Sequence, residues 1–377
     1  AEIICGFGRA GRAVLYFTKK GRRVMAVKNE KYVAYVGTYT HEHSIGIHIY
    51  DLDMKSGMMN ERKVVNITNP SDLLVSKNKK FLYSITDDGV RAFQILADGD
   101  LKPMNEQWIG GMRGCYLDVD DENRYVFVGG YHDGRVSMLH LNEDGSVGEI
   151  ADGIFHKGVG RSAADRSSRP HVNCVKVTPD QGYLCAVDGG LDHVKVYKID
   201  YENGKLHLAD IIHGDLESAP KMIRFSKDGK NAYVLNELKN TIDVYNYFRD
   251  ENGPEFERIQ KISTQTGKDD YSSSQNMEFS PDGQYLYCSN AGPNEVAVFK
   301  RNAETGELSR VFVTRISGDF PKALAVFPDN RHFMSLNHES NEICTFVINY
   351  EKKYALMNGK PQKIDKPNCV YIHKLEQ

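Results

Sequence analysis

The sequence predicts an all-β chain: a seven-bladed β-propeller over residues 31–377, closed by its own C-terminal strand. Three observations predict it. A turn-and-strand unit recurs six times. Each copy runs on into the same series of short alternating strands. The two ends of the chain supply complementary parts of a seventh unit.

The recurring unit reads VSKNKKFLYSI (75–85), VDDENRYVFVG (119–129), VTPDQGYLCAV (177–187), FSKDGKNAYVL (225–235), FSPDGQYLYCS (279–289) and VFPDNRHFMSL (326–336). Each copy is an apolar residue, a turn rich in Asp, Asn, Pro and Gly, then a strand of aromatic and aliphatic residues. The second residues of the copies are Ser76, Asp120, Thr178, Ser226, Ser280 and Phe327, spaced by 44, 58, 48, 54 and 47 residues. After each comes a third strand (GVRAFQI, RVSMLHL, HVKVYKI, TIDVYNY, EVAVFKR, EICTFVI). Polar hairpin turns such as NEDGSV, ENGKL and ETGEL then lead into a fourth. Four short strands at this period are the pattern of propeller blades.

The seventh blade is split. KYVAYVGTYT and SIGIHIYDLD, within 31–53, supply outer strands with no inner strand before them. The tail KPNCVYIHK (366–374) resembles the segments NPSDLLV and APKMIRF that open other blades. It is therefore expected to pair with the N-terminal strand, leaving no exposed sheet edge at the seam.

Residues 1–30 stand apart, an N-terminal extension ahead of the propeller. EIICGFG, RAGRAVLYFTKKG and RRVMAVKNE resemble a strand–helix–strand opening, with Gly6, Gly8 and Gly11 in G-x-G-x-x-G spacing. A dinucleotide fold needs several such units to build its sheet. Here the pattern stops after one, and Lys28 stands near where an acidic residue is required. The segment reads as a fused fragment packed on the propeller or as a stretch foreign to the natural product. No cofactor is expected.

The totals agree with a soluble globular protein. Of 377 residues, 40% are hydrophobic and 26% charged, with a formal net charge of −3. Nothing here marks a nucleic-acid or membrane surface, so neither partner is expected. The seven cysteines are scattered, odd in number and without a C-x-x-C pair. They read as reduced thiols of a cytoplasmic protein rather than a disulfide or zinc framework. No signal peptide and no membrane-spanning apolar run is evident. The expected assembly is a monomer or weak homodimer.

Blade equivalence locates candidate site residues. Five residues before each turn marker stand Ser71, Cys115, Asn173, Lys221, Gln275 and Lys322, and the tail places Asn368 at the same position. These are mostly polar residues between apolar neighbours, at the ends of strands that surround the propeller axis. Together they form a ring fit to line a small-molecule site or a water-filled channel. Glu237, in YVLNELKN, ends the second strand of its blade where the chain returns to that face. Beside Lys221 it makes an acid–base and electrostatic pair. His171 and Arg113 lie two residues before the ring in adjacent blades, and strand alternation puts them on the ring's face. Asp188 and Asp192 read as turn residues. His41 and His43 do not by themselves define a metal site, and none is expected.

YVGTYT with GIHIYDLD, RPHVNCVKVTPDQGYLCAVD, YVLNELKNTIDVY and FSPDGQYLYCSN resemble the seven-bladed propeller lactonases. That family includes 6-phosphogluconolactonases and is related to fungal carboxymuconate lactonising enzymes. The resemblance covers residues 31–377. It implies a site built from an inner-strand histidine, basic residues at blade mouths, and the glutamate of the N-E element. Glu237 matches that glutamate. Asn173 stands at the histidine position, with His171 one pleat away; Lys221 replaces an arginine that follows proline; Ala291 replaces an arginine that follows Ser-Asn. The resemblance implies hydrolysis of a sugar lactone, most specifically 6-phosphogluconolactone. Glu237 would orient or deprotonate water, Lys221 and Lys322 would hold the anionic part, and His171 or Asn173 would bond the carbonyl oxygen. Gln275, Arg113, Asn368 and Ser71 would complete the binding ring. A lactone-forming cycloisomerase and a non-catalytic binding propeller remain alternatives.

Overall fold

The structure, a computed structural model, describes residues 30–160, 169–267 and 271–376. The G-x-G-x-x-G segment lies outside the described residues. Among those described there is no helix: seven antiparallel sheets stand around one axis. Blade 1 holds Tyr32–Thr38, Gly46–Asp53 and Met58–Asn66, with Pro367–Lys374 as its innermost strand. Blades 2 to 7 follow in chain order, with innermost strands Leu73–Val75, Tyr116–Val119, Val172–Val177, Pro220–Phe225, Ser273–Phe279 and Pro321–Val326. Each innermost strand packs against the next, and the last against the first, so the ring is closed. The closing strand pairs antiparallel with blade 1, from Tyr32↔Lys374 to Gly37↔Cys369. This is the split blade expected from the two chain ends.

The turn marker owes its recurrence to one hydrogen-bond pattern. The hydroxyls of Ser76, Thr178, Ser226 and Ser280 accept the backbone N–H five residues on, at 2.9–3.0 Å. Each hydroxyl also donates to the Asn or Asp two residues on, at 2.5–2.7 Å. Asp120 accepts the equivalent N–H of Tyr125 directly. Phe327 can do neither, and Asp329 takes over by accepting from the N–H groups of Arg331 and His332. A side-chain oxygen that satisfies the turn's backbone is what makes Ser, Thr and Asp recur there.

The apolar core lies between blades rather than at the axis. Six clusters of buried residues together join every neighbouring pair of blades. Buried tyrosines on second strands pin one blade to the next. Tyr35, Tyr83 and Tyr233 donate to the carbonyls of Gly99, Gly145 and Gly306 in the outer hairpin of the following blade, at 2.8, 3.0 and 2.7 Å. Those glycines have φ near +80°, which turns the carbonyl inward and which a side chain would resist. Tyr233 also accepts from Arg301 Nε at 3.0 Å. Tyr233→Phe is expected to lower the unfolding free energy by about 1–3 kcal/mol, because two buried partners lose their bond. Denaturant titration of both proteins checks this.

Candidate active site

The axis is a cavity of about 1190 Å³ lined by polar and apolar groups alike. Its wall includes Ser71, Cys115, Asn173, Lys221, Gln275, Lys322 and Asn368, one ring residue from each blade. Their orientation comes from an irregularity repeated in five blades. In the pairing of innermost with second strands, Pro220 faces Asn236 and Met222 faces Leu235, so Lys221 is skipped. Asn173, Gln275, Lys322 and Asn368 are skipped in the same way. These are β-bulges, which free a residue from the ladder and re-aim its side chain.

The ring residues divide by what they bond. Asn173 Nδ2 donates to Pro220 O at 3.2 Å, Ser71 Oγ to Gly114 O at 3.4 Å, and Cys115 Sγ to Val172 O at 3.2 Å. Asn368 Nδ2 donates to Ser71 O. These four tie each innermost strand to the backbone of the next blade. Burial, with Asp72 near it, pushes the Cys115 thiol up to about 12. It is therefore no nucleophile at neutral pH.

Lys221, Gln275 and Lys322 form the other group, with Glu237. Glu237 follows the second strand of blade 5. Its N–H donates to Ala219 O at 2.9 Å, and its carbonyl accepts from Ser274 N at 3.1 Å. The carboxylate is thus held on a clamped backbone. Its Oε1 lies 3.0 Å from Lys221 Nζ and accepts from Ser273 Oγ at 3.0 Å and Gln275 Nε2 at 3.2 Å. Lys221 Nζ also donates to Gln275 Oε1 at 2.8 Å. Burial pushes the carboxyl up, but Lys221, then Lys322 and Gln275, more than offset it, and Glu237 lies below the usual carboxylate range. It is ionised at neutral pH and can orient a water or take its proton.

Lys322 differs from Lys221. Its ammonium has no hydrogen bond or ion pair among the described residues and sits 5.7 Å from the ring centre of Phe320. Burial, with repulsion from Lys221, pushes it down to about 8, although Glu237 pulls the other way. A half-buried cation without a fixed counter-ion is a seat for an anion. Arg113 lies at the mouth, 3.2 Å from Asp87 Oδ1 and 5.2 Å from the ring centre of Tyr39.

His171 does not join this group. Although it stands at the same offset as Ser273, its ring is committed to Tyr131 of blade 3. His171 is buried beneath Tyr131, stacked on its ring with centroids 4.3 Å apart, and bonds Tyr131 O through Nδ1 at 2.7 Å. Its N–H donates to Asp188 Oδ1 at 2.9 Å. Asp188 holds its hairpin as expected, by accepting from Gly190 and Leu191 N–H, whereas Asp192 holds the connection into blade 5, by accepting from Glu217 and Ala219 N–H. Ala291 is buried in the ladder opposite Ser273.

Sequence reasoning missed Ser273, whose hydroxyl bonds Glu237, and the aromatic mouth of Tyr39, Tyr131 and Phe320. A serine in a Ser-Ser-Ser run carries no pattern of its own. The only available signal was its place two residues before the ring, the offset of His171 and Arg113.

Comparison with known proteins agrees with this fold. The family described as "Lactonase, 7-bladed beta-propeller" matches residues 33–372. A Bacillus subtilis 6-phosphogluconolactonase is 31% identical over 355 residues, covering 92% of this chain and 99% of that one. A 6-phosphogluconolactonase of Formosa agariphila is 29% identical over 346 residues, covering 88% of this chain and 94% of that one. The structure of a Pseudomonas aeruginosa periplasmic gluconolactonase, at 23% identity, superposes with a TM-score of 0.85 over 92% of this chain and 100% of that one, a likeness of fold. With its closed seven-bladed ring and a family match that spans nearly all of it, this chain belongs to the seven-bladed β-propeller lactonases, enzymes that hydrolyse lactones.

Proposed function

We propose that the chain hydrolyses a phosphorylated sugar lactone, 6-phosphogluconolactone being the best fit, to its hydroxy acid. The observation that carries this reading is Lys322: a cation with no ion pair among the described residues, lining the same cavity as an ionised carboxylate already held by Lys221. The relatives named 6-phosphogluconolactonase support it.

The reaction needs little from the protein, because a lactone is an activated ester. Glu237 accepts a proton from water as the water oxygen bonds the lactone carbonyl carbon. The carbonyl oxygen gains negative charge and is met by a Lys221 N–H and by the second amide N–H of Asn173. The tetrahedral intermediate collapses with cleavage of the bond from carbon to ring oxygen. Glu237 returns its proton to that oxygen, so the carboxylate is regenerated and atoms balance. Lys322 holds the phosphate, with Arg113 at the mouth.

Rates on 6-phosphogluconolactone and on unphosphorylated gluconolactone, each above the spontaneous rate, test the reading. A charge-assisted contact worth about 1.5–3 kcal/mol corresponds to a preference of roughly 10- to 150-fold in kcat/KM for the phosphorylated lactone. Equal values would remove Lys322 as a phosphate anchor and point to a neutral lactone.

A further inference from the structure

We propose that His156, Asp188 and His193 form a divalent-metal site, of the kind that takes Zn²⁺, which clasps the connection between blades 3 and 4. His156 begins the link that leaves blade 3 after Val147–Phe155, and Asp188 and His193 face each other across the hairpin of blade 4. One ligand atom from each of the three lies within 4.8 Å of the other two. A tetrahedral zinc site built from bonds of about 2.1 Å separates its ligands by roughly 3.4 Å, so modest ring rotation closes the group.

Two features distinguish it from a buried hydrogen-bond cluster. First, Nε2 of His193 is buried and has no hydrogen bond among the described residues, although the ring faces a carboxylate. A buried imidazole nitrogen left unbonded is costly unless a ligand meets it. Second, the remaining atoms are already oriented as outer partners orient metal ligands. Asp188 Oδ1 is fixed by the N–H groups of His171, Gly190 and Leu191 at 2.9–3.1 Å, while Oδ2 faces His156 Nδ1 at 2.7 Å. The far nitrogen of His156 meets Tyr197 OH at 3.0 Å. Metal binding to Nδ1 moves the ring proton to Nε2, and Tyr197 turns from donor to acceptor, so no proton need leave. His213, opposite His193 in the ladder and exposed, stands at the solvent side. Lys195 lies two residues along the His193 strand, and its positive charge is the nearest cost on that element.

The site lies outside the wall of the axial cavity. One link from it toward the ring is the bond that Asp188 Oδ1 accepts from the His171 N–H, two residues before Asn173.

The full-length protein, without a histidine tag and stripped by chelator, is titrated with Zn²⁺ by calorimetry and with Co²⁺ by visible absorption. The expected result is one tight Zn²⁺ per chain, a Co²⁺ spectrum with tetrahedral intensity, and a rise in Tm on loading. His193→Ala is expected to weaken binding at least 100-fold. His193→Gln, which keeps more of the ring's bulk, is the second variant should the first fold poorly. His43→Ala is the control, because Glu42, His43 and Asp365 form an exposed group of similar composition. Absence of a tight site in the parent protein, or binding unchanged in folded His193 variants and lost in His43→Ala, overturns the proposal.

Discussion

Glu237→Gln is expected to lower kcat by roughly 10²- to 10⁴-fold, the range for loss of a positioned general base. The substitution keeps the side chain's shape and its bonds from Ser273 and Lys221 while removing the proton acceptor. KM should therefore change far less than kcat, and circular dichroism should show an intact fold. The pH profile of the parent enzyme follows from the same group. Glu237 lies below the usual carboxylate range, so its basic form persists through neutral pH. The acid limb of kcat/KM should fall only below that range. An activity unchanged in the variant would move the base elsewhere in the ring.

Lys322→Met should raise KM for a phosphorylated lactone with a smaller change in kcat. The expected loss in kcat/KM is roughly 10- to 150-fold, the value of a charge-assisted hydrogen bond. Methionine keeps an apolar stem of similar length and removes the charge, so the fold should not suffer. Burial above all holds Lys322 at about 8. The cation that receives the anion is therefore lost as pH rises through that value, and KM should climb above it in the parent. In Lys322→Met that alkaline climb should be absent. A variant that keeps the parent's KM and its alkaline limb would exclude Lys322 as the anchor.

These two effects depend on features legible to different degrees in the chain. The repeat marker recurs because one side-chain oxygen must satisfy the turn's backbone in nearly every blade, and that need is local. Counting five residues back from Ser226 or Ser280 reaches Lys221 or Gln275 because the same offset separates ring position from turn marker in six blades. The split blade was equally legible, since closing the ring demands a strand that the N-terminal half lacks. Blade number, closure and the identity of the ring thus follow from residue order alone.

What residue order could not decide is which ring residues face the cavity free and which are committed to the neighbouring blade. Asn173 and Lys221 occupy equivalent bulges, yet Asn173 is tied to Pro220 O, whereas Lys221 reaches Glu237 and Gln275. His171 shows the limit most plainly. Alternation along a strand is a local rule, and the stacking and hydrogen bond to Tyr131 of the neighbouring blade decide where this ring goes. The isolation of Lys322 and the meeting of His156 with His193 have the same origin. Each depends on distances between different strands, set by how the blades close around the axis, and no local pattern encodes them.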